Sequence, residues 1–448
     1  MKVLVIWPPH VPSYFNAGHH TPLFMTAGHL RTLEGVEQVD VWDTGVVATN
    51  WKEVGDRLFQ GRYDVIAMMN DFDAVDGFER FVTYARELSP DSRLVTFGRL
   101  SSMNTGFFTQ FDIDAIVQSG DYECGVAAVV TALRDGELDR PLPGVAVRCA
   151  GQWQTQSAPG AALDAQDWIL PDHADIPHAV HDQLYAKDEN KFCGIPFRRE
   201  LVVPVSRGCP IGCDFCDVPR IFGKAERRLS VDRTVEYIES SFAQEPFEYV
   251  SFYAPTFTLD RRWVRELCAR FQAGPLSPRW KCSTTIHHLD EDLVRTMGAA
   301  GCFRISVGLE TLEPDAHGGL PRVKHTEQER FHQLAQWCRE AGIELNVFVI
   351  AGLPGTSPAG IQRTVRIARA AGARIRPTMY TPFHRMRPTM TTAEMGRYNR
   401  QLLPEDAAPA DPAERAELYD VLFGHEEHPT TVYEKIPRHA STTAGAAV

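Results

Sequence analysis

Residues 201–216 read LVVPVSRGCPIGCDFC, an apolar run that gives way to Cys209, Cys213 and Cys216 on one short segment. The run Leu201–Val205 followed by Gly-Cys-Pro has the pattern of a buried strand ending in a turn, so the three thiols stand at that strand's carboxyl end. Three thiolates on one loop can hold three irons of a cubane and leave the fourth iron open to a ligand that takes part in chemistry. A structural zinc site or plain packing is the competing reading. Zinc needs four ligands in paired spacing, and no second Cys-x-x-Cys or Cys-x-x-His follows nearby. The remaining cysteines, from Cys124 to Cys338, are scattered singly and read as small buried hydrophobes.

Downstream of the loop, strand-like and helix-like segments alternate from Leu201–Val205 through Tyr249–Tyr253, Trp280–Thr284, Arg304–Val307 and Glu344–Ile350 to Arg376–Tyr380. Six strands separated by helical runs predict a partial (β/α)6 barrel over 201–390. Upstream, a second alternating series occupies residues 1–140, with strands at Val3–Trp7, Val39–Trp42, Asp64–Met69, Leu94–Phe97 and Ala115–Gln118. It predicts an α/β, doubly wound, Rossmann-like domain whose ligand would sit at the strands' carboxyl ends, near His10, Asp71, Arg99 and Asp121. Residues 141–200 read as a short hairpin and a linker, because Pro, His, Asp and Gln accumulate there. Residues 391–448 read as a C-terminal helical tail that ends in the frayed run ASTTAGAAV.

The length of 448 residues allows about three domains. Lys and Arg total 46 against 58 for Asp and Glu, a net charge of −12, which argues against a surface built for nucleic acid or anionic lipid. No uncharged run reaches the roughly 18 residues of a membrane span, and MKVLVIWPPH reads as an opening strand rather than a secretory signal. A cytoplasmic protein with no membrane and no nucleic-acid partner is the expectation.

The trio, in its setting Ser206-Arg207-Gly208-Cys209-Pro210, resembles the radical S-adenosylmethionine superfamily, whose Cys-x3-Cys-x2-Cys motif is matched residue for residue. The setting is typical of the branch with an N-terminal cobalamin-binding domain, and the resemblance covers roughly residues 1–390. It implies a 4Fe-4S cluster on Cys209, Cys213 and Cys216, S-adenosylmethionine on the open iron, and a reductant such as flavodoxin or ferredoxin. Phe215 matches the aromatic that packs on adenine, with plain core as its other reading. Gly308-Leu309-Glu310-Thr311 matches the family's Gly-x-Glu-Ser/Thr, with helix capping as the other reading. Gly352-Leu353-Pro354-Gly355 resembles the adenine-side turn.

Departures from the family accompany these matches. Where relatives carry an acidic pair after the second barrel strand, this chain has Tyr253-Ala254-Pro255-Thr256, which leaves backbone carbonyls or Thr256 for the methionine amine. Where Arg-x-Asp is frequent, it has His287 and His288, candidate proton-transfer groups of which one faces the site if the segment is extended. In the first domain Gly120-Asp121-Tyr122-Glu123 resembles the family's Gly-Glu-x-Glu turn. However, Gly98-Arg99-Leu100 puts a bulky side chain where a glycine lets backbone approach the cobalamin tail, unless Arg99 pairs with its phosphate. Cobalamin is therefore left open.

The resemblance extends to an aminoglycoside-pathway diol dehydratase, which implies hydrogen abstraction from a cationic aminosugar followed by loss of water, within antibiotic biosynthesis. Such a lyase needs a base and an acid, for which His287, His288, Glu310 and Tyr380 are the candidates. The alternative is a cobalamin-dependent radical C-methyltransferase, and a third reading is a non-catalytic cluster scaffold.

Overall fold

A computed structural model describes residues 1–10, 20–72, 75–183, 194–195, 197–399 and 402–424. The first sheet holds β1 (Lys2–Trp7), β2 (Gln38–Asp43), β3 (Val65–Asn70), β4 (Arg93–Gly98), β5 (Ala115–Val117), β6 (Val145–Cys149) and β7 (Gln152–Gln154) in the order β2-β1-β3-β4-β5-β6-β7. Strands β1 to β5 are parallel, and β6 and β7 join antiparallel. Successive residues of β1 serve opposite faces. Val3, Val5 and Trp7 pack with helices Thr21–Leu30 and Tyr122–Arg134, whereas Leu4 and Ile6 pack with helices Trp51–Gly61 and Val75–Leu88. Burial on both faces is why these strands read as unbroken apolar runs.

The hairpin expected within 141–200 thus extends the first sheet. Beyond it, Trp168 is fully buried with Met25 and Leu229, so this stretch packs between the halves.

The second sheet contains β8 (Glu200–Pro204), β11 (Tyr249–Tyr253), β12 (Trp280–Thr285), β13 (Cys302–Glu310), β14 (Glu344–Ala351) and β15 (Arg374–Met379). All are parallel, in the order β15-β14-β13-β12-β11-β8, an open (β/α)6 arrangement. A two-residue antiparallel ladder of β9 (Ser206–Arg207) and β10 (Arg227–Arg228) closes the base of the cysteine loop.

The chain after β15 divides between the two halves. Met390 and Met395 enter the first domain's core, and Arg387 and Met390 carbonyls accept from Asn104 and Gln110. Helix Pro412–Phe423 instead buries Leu418 and Leu422 against the barrel, each contributing about 1.5–3 kcal/mol of apolar burial. The run ASTTAGAAV lies outside the described residues, as does Cys193. No helix among the described residues is long and apolar enough to cross a membrane.

Candidate active site

The cysteine loop leaves the second sheet through Gly208, whose φ of +83° and whose contact with the Ala225 carbonyl exclude a side chain. The Cys209 amide donates to the Gly223 carbonyl, which ties the loop's start to its return. Cys209 and Cys213 are buried and Cys216 is partly so. Burial pushes the Cys213 thiol up to about 11 and that of Cys216 up to about 12, with neighbouring thiols and acidic groups adding to it. Among the described residues no three Cys, His, Asp or Glu side chains converge as a single metal ion needs. A cubane makes a different demand, because each thiolate holds a separate iron and the sulfurs stand apart around a common space. The three thiols fit that donor set.

Opposite them, β13 ends on Glu310, buried and left-handed at φ +60°. Its Oε1 accepts from Lys324 Nζ at 2.9 Å. A Cβ on Gly308 would lie 2.2 Å from that oxygen and 2.7 Å from Nζ, so the glycine makes room for the pair. Burial works against the Lys324 charge. Glu310 and the sulfurs of Cys213 and Cys216 outweigh it, and the pKa is raised. Lys324 thus joins the Glu310 carboxylate to the thiol loop. Sequence reading missed it, since a lone lysine 14 residues beyond the Gly-x-Glu element carries no spacing signal.

Phe215 and Tyr380 pack together with Ala316, Leu320, Ile350 and Leu353, which brings the cysteine loop against the turn at Gly352 and Pro354. Gly352 and Tyr380 also line a cleft of about 240 Å³ with Arg385, Arg397 and Tyr398. Thr256 is buried with Oγ1 3.8 Å from Cys209 Sγ, on the thiol side of the site. Tyr253 keeps 61% of its surface accessible although Arg99 and Asp71 from the first domain and Asp217 and Cys216 from the loop all act on it. It therefore lines open space between the halves.

The two histidines occupy a 3-10 turn, Ile286–His288, rather than the extended segment assumed from sequence. His287 is exposed, with Nε2 2.8 Å from the His325 carbonyl oxygen. His288 is half-buried, its Nδ1 has no hydrogen-bond partner among the described residues, and Lys324 acts on it. Burial, His287 and nearby cations lower its pKa, so its ring is neutral at pH 7 and able to accept a proton.

The first domain meets this loop through charge. Arg207 Nη1 donates to Glu123 Oε1 at 2.8 Å and lies 3.1 Å from Asp121 Oδ1, while Arg227 makes two bonds to Asp121 at 2.6 and 2.7 Å. Arg99 donates to Asp217 and, at 3.2 Å, to Asp71. Arg99 and the Gly120-Asp121-Tyr122-Glu123 turn are thereby engaged by protein partners instead of being free for a cofactor phosphate. Gly98 and Gly120 are likewise covered by the chain itself, since a Cβ on either would strike Asn70 or Ala161 backbone at 2.0 and 2.5 Å. The same edge nevertheless keeps Trp7 Nε1, Ser102 Oγ and Tyr122 Oη buried and without partners among the described residues. Orphaned donors of this kind suit a large ligand rimmed with amides and a phosphate, and cobalamin fits them.

Residues 203–368 match the family described as the Radical SAM superfamily. Among curated relatives, an uncharacterized methyltransferase of Pyrococcus horikoshii is 25% identical over 57% of this chain and 53% of its own length. Cytidylyl-2-hydroxyethylphosphonate methyltransferase of Streptomyces wedmorensis is 26% identical over 41% of this chain and 35% of its own. The chain thus spans about half or less of these relatives. Among solved structures, the radical S-adenosylmethionine methyltransferase TsrM of Kitasatospora setae aligns with a TM-score of 0.64 at 20% identity, over 85% of this chain and 74% of that one. The cobalamin-dependent radical enzyme OxsB aligns at 0.61 and 15% identity, over 88% and 54%. With its three cysteines on the loop after β8, inside the matched residues 203–368, and the alignment spanning both halves, the chain has an α/β fold that joins a Rossmann-like domain to a radical SAM domain.

Proposed function

We propose that this protein is a cobalamin-dependent radical S-adenosylmethionine enzyme that transfers a methyl group to a carbon of a small molecule. The observation that carries the reading is that its curated relatives are methyltransferases, with TsrM matching both halves of the chain. A TsrM structure is described with cobalamin and a [4Fe-4S] cluster bound. The diol dehydratase expected from sequence has no counterpart among these proteins.

In this reading Cys209, Cys213 and Cys216 hold the cluster, and Trp7, Ser102 and Tyr122 meet the cobalamin rim. When bound, the cluster and S-adenosylmethionine supply a 5′-deoxyadenosyl radical, and cobalamin carries the methyl group. The Glu310–Lys324 pair places one charge of each sign where an aminocarboxylate or ribose hydroxyl can be met. Phe215, Leu353 and Tyr380 exclude water on the adenine side, and Thr256 and Tyr253 border the thiol side. His288 and the exposed His287, on the same turn, are the proton-transfer candidates on this side of the site, a role that dehydration would call on. A flavodoxin or ferredoxin supplies electrons.

Dehydration of an aminosugar diol without cobalamin is a second reading, favoured by one observation: Arg99 spans from Asp71 to Asp217 beside the space a corrin would enter. The two separate in one experiment. Anaerobic protein, produced with ample cobalamin and reconstituted with iron and sulfide, is incubated with S-adenosylmethionine and reductant. Bound cobalt with S-adenosylhomocysteine formed is the expected result. Cobalt-free protein that yields 5′-deoxyadenosine alone overturns methyl transfer and leaves dehydration.

A further inference from the structure

We propose that the first domain positions the cluster: Arg99, Asp121 and Glu123 fix the two ends of the cysteine loop, and Arg99 sets the charge beside the third thiolate. The inference rests on the radical SAM reading and is independent of whether methyl transfer or dehydration follows. Arg207 stands two residues before Cys209, and Asp217 directly follows Cys216. Both flanking charges find their partners in the other domain, Arg207 on Asp121 and Glu123, and Asp217 on Arg99. Those partners lie at the ends of β4 and just beyond β5, adjacent strands about 4.8 Å apart, so the sheet's own spacing dictates where the loop's ends are held.

The first anchor is dry. The Asp121 side chain is fully buried and that of Glu123 is 3% exposed, with Arg207 stacked 4.6 Å from the Trp168 ring. Arg227 binds the same Asp121, so one carboxylate holds both strands of the β9–β10 ladder that closes the loop. Buried pairs of this kind cost desolvation and contribute mainly to where things sit. The second anchor is wetter, with Arg99 37% exposed, and it neutralises Asp217 next to Cys216. Net charge near a cluster biases electron uptake, since an unpaired anion disfavours it and an unpaired cation favours it.

Full-length protein carrying Arg99→Gln, Asp217→Asn or both, reconstituted anaerobically with iron and sulfide, is titrated for cluster midpoint potential alongside its iron content. All three variants are expected to keep their iron. Arg99→Gln should shift the potential negative, Asp217→Asn positive, and the double variant back towards the parent. A merely structural tie moves both singles the same way or neither, and either outcome overturns the charge role. Glu123→Gln, which leaves Arg207 its Asp121 partner, is expected to lose its chromophore in air faster than the parent; an unchanged rate overturns the positioning role. Absence of an iron–sulfur chromophore in the parent protein would instead overturn the radical SAM reading itself.

Discussion

Both sheets gather polar residues at the carboxyl ends of their strands, and they use them differently. At the barrel's ends Glu310, Lys324, Tyr253 and the three thiols turn towards a shared space, with chemistry still to be supplied. At the first sheet's ends Arg99, Asp121 and Glu123 are bonded across to the barrel loop, with Asp71 held by Arg99, while among the described residues the indole of Trp7 and the hydroxyls of Ser102 and Tyr122 stay without hydrogen-bond partners. The same topological rule places a site in one sheet and, in the other, a brace for that site.

Replacing Cys209, Cys213 and Cys216 together by Ala breaks the barrel side most completely. Loss of all cluster iron is expected, because the described remaining cysteines are separate from the loop; about four irons per chain retained in that variant would refute the assignment. On the bracing side, Arg207→Met strands the buried Glu123 carboxylate, while Asp121 keeps Arg227. A stability loss of about 3–5 kcal/mol is expected in denaturant titration, against little change if the pair were dispensable.

Glu310→Gln tests the site half again, more gently. Losing a charge-assisted bond should weaken S-adenosylmethionine binding by roughly 1.5–3 kcal/mol, measured by calorimetry on the anaerobic holoprotein. Unchanged cofactor affinity with lost turnover would move Glu310 to the substrate. A pH-dependent effect is expected at the far edge of the first sheet. Burial raises the Asp43 carboxyl from 3.8 to about 7 against the opposing amides of Gly45 and Val46, with His181 Nε2 3.9 Å away. The folded state then holds a proton that the unfolded state releases, so this group lowers stability as pH rises from about 4 to 7. Asp43→Asn should melt higher than the parent at pH 8 and lose that advantage towards pH 4. A constant difference across that range would remove Asp43 as the titrating group.

The strand–helix alternation, the cysteine loop and the turns at Gly308–Glu310 and Gly352–Pro354 were legible in sequence because each is a local pattern, set by apolar period or fixed spacing. The 3-10 turn at Ile286–His288 was not, since its geometry comes from packing against the segment around His325 rather than from its own residues. Nor was the hairpin at Val145–Gln154 legible as part of the first sheet: two short strands show no partner until an edge is free to take them.

Sequence by itself determined the two α/β halves and the thiol loop between them. Tertiary structure alone decided that Lys324 meets Glu310, that Arg99 is committed to Asp217, and that Asp121 and Glu123 hold Arg207. The reason is physical. Apolar periodicity is written into neighbouring residues, whereas a charge declares nothing about its partner until the chain brings the two within hydrogen-bond reach and removes the water between them.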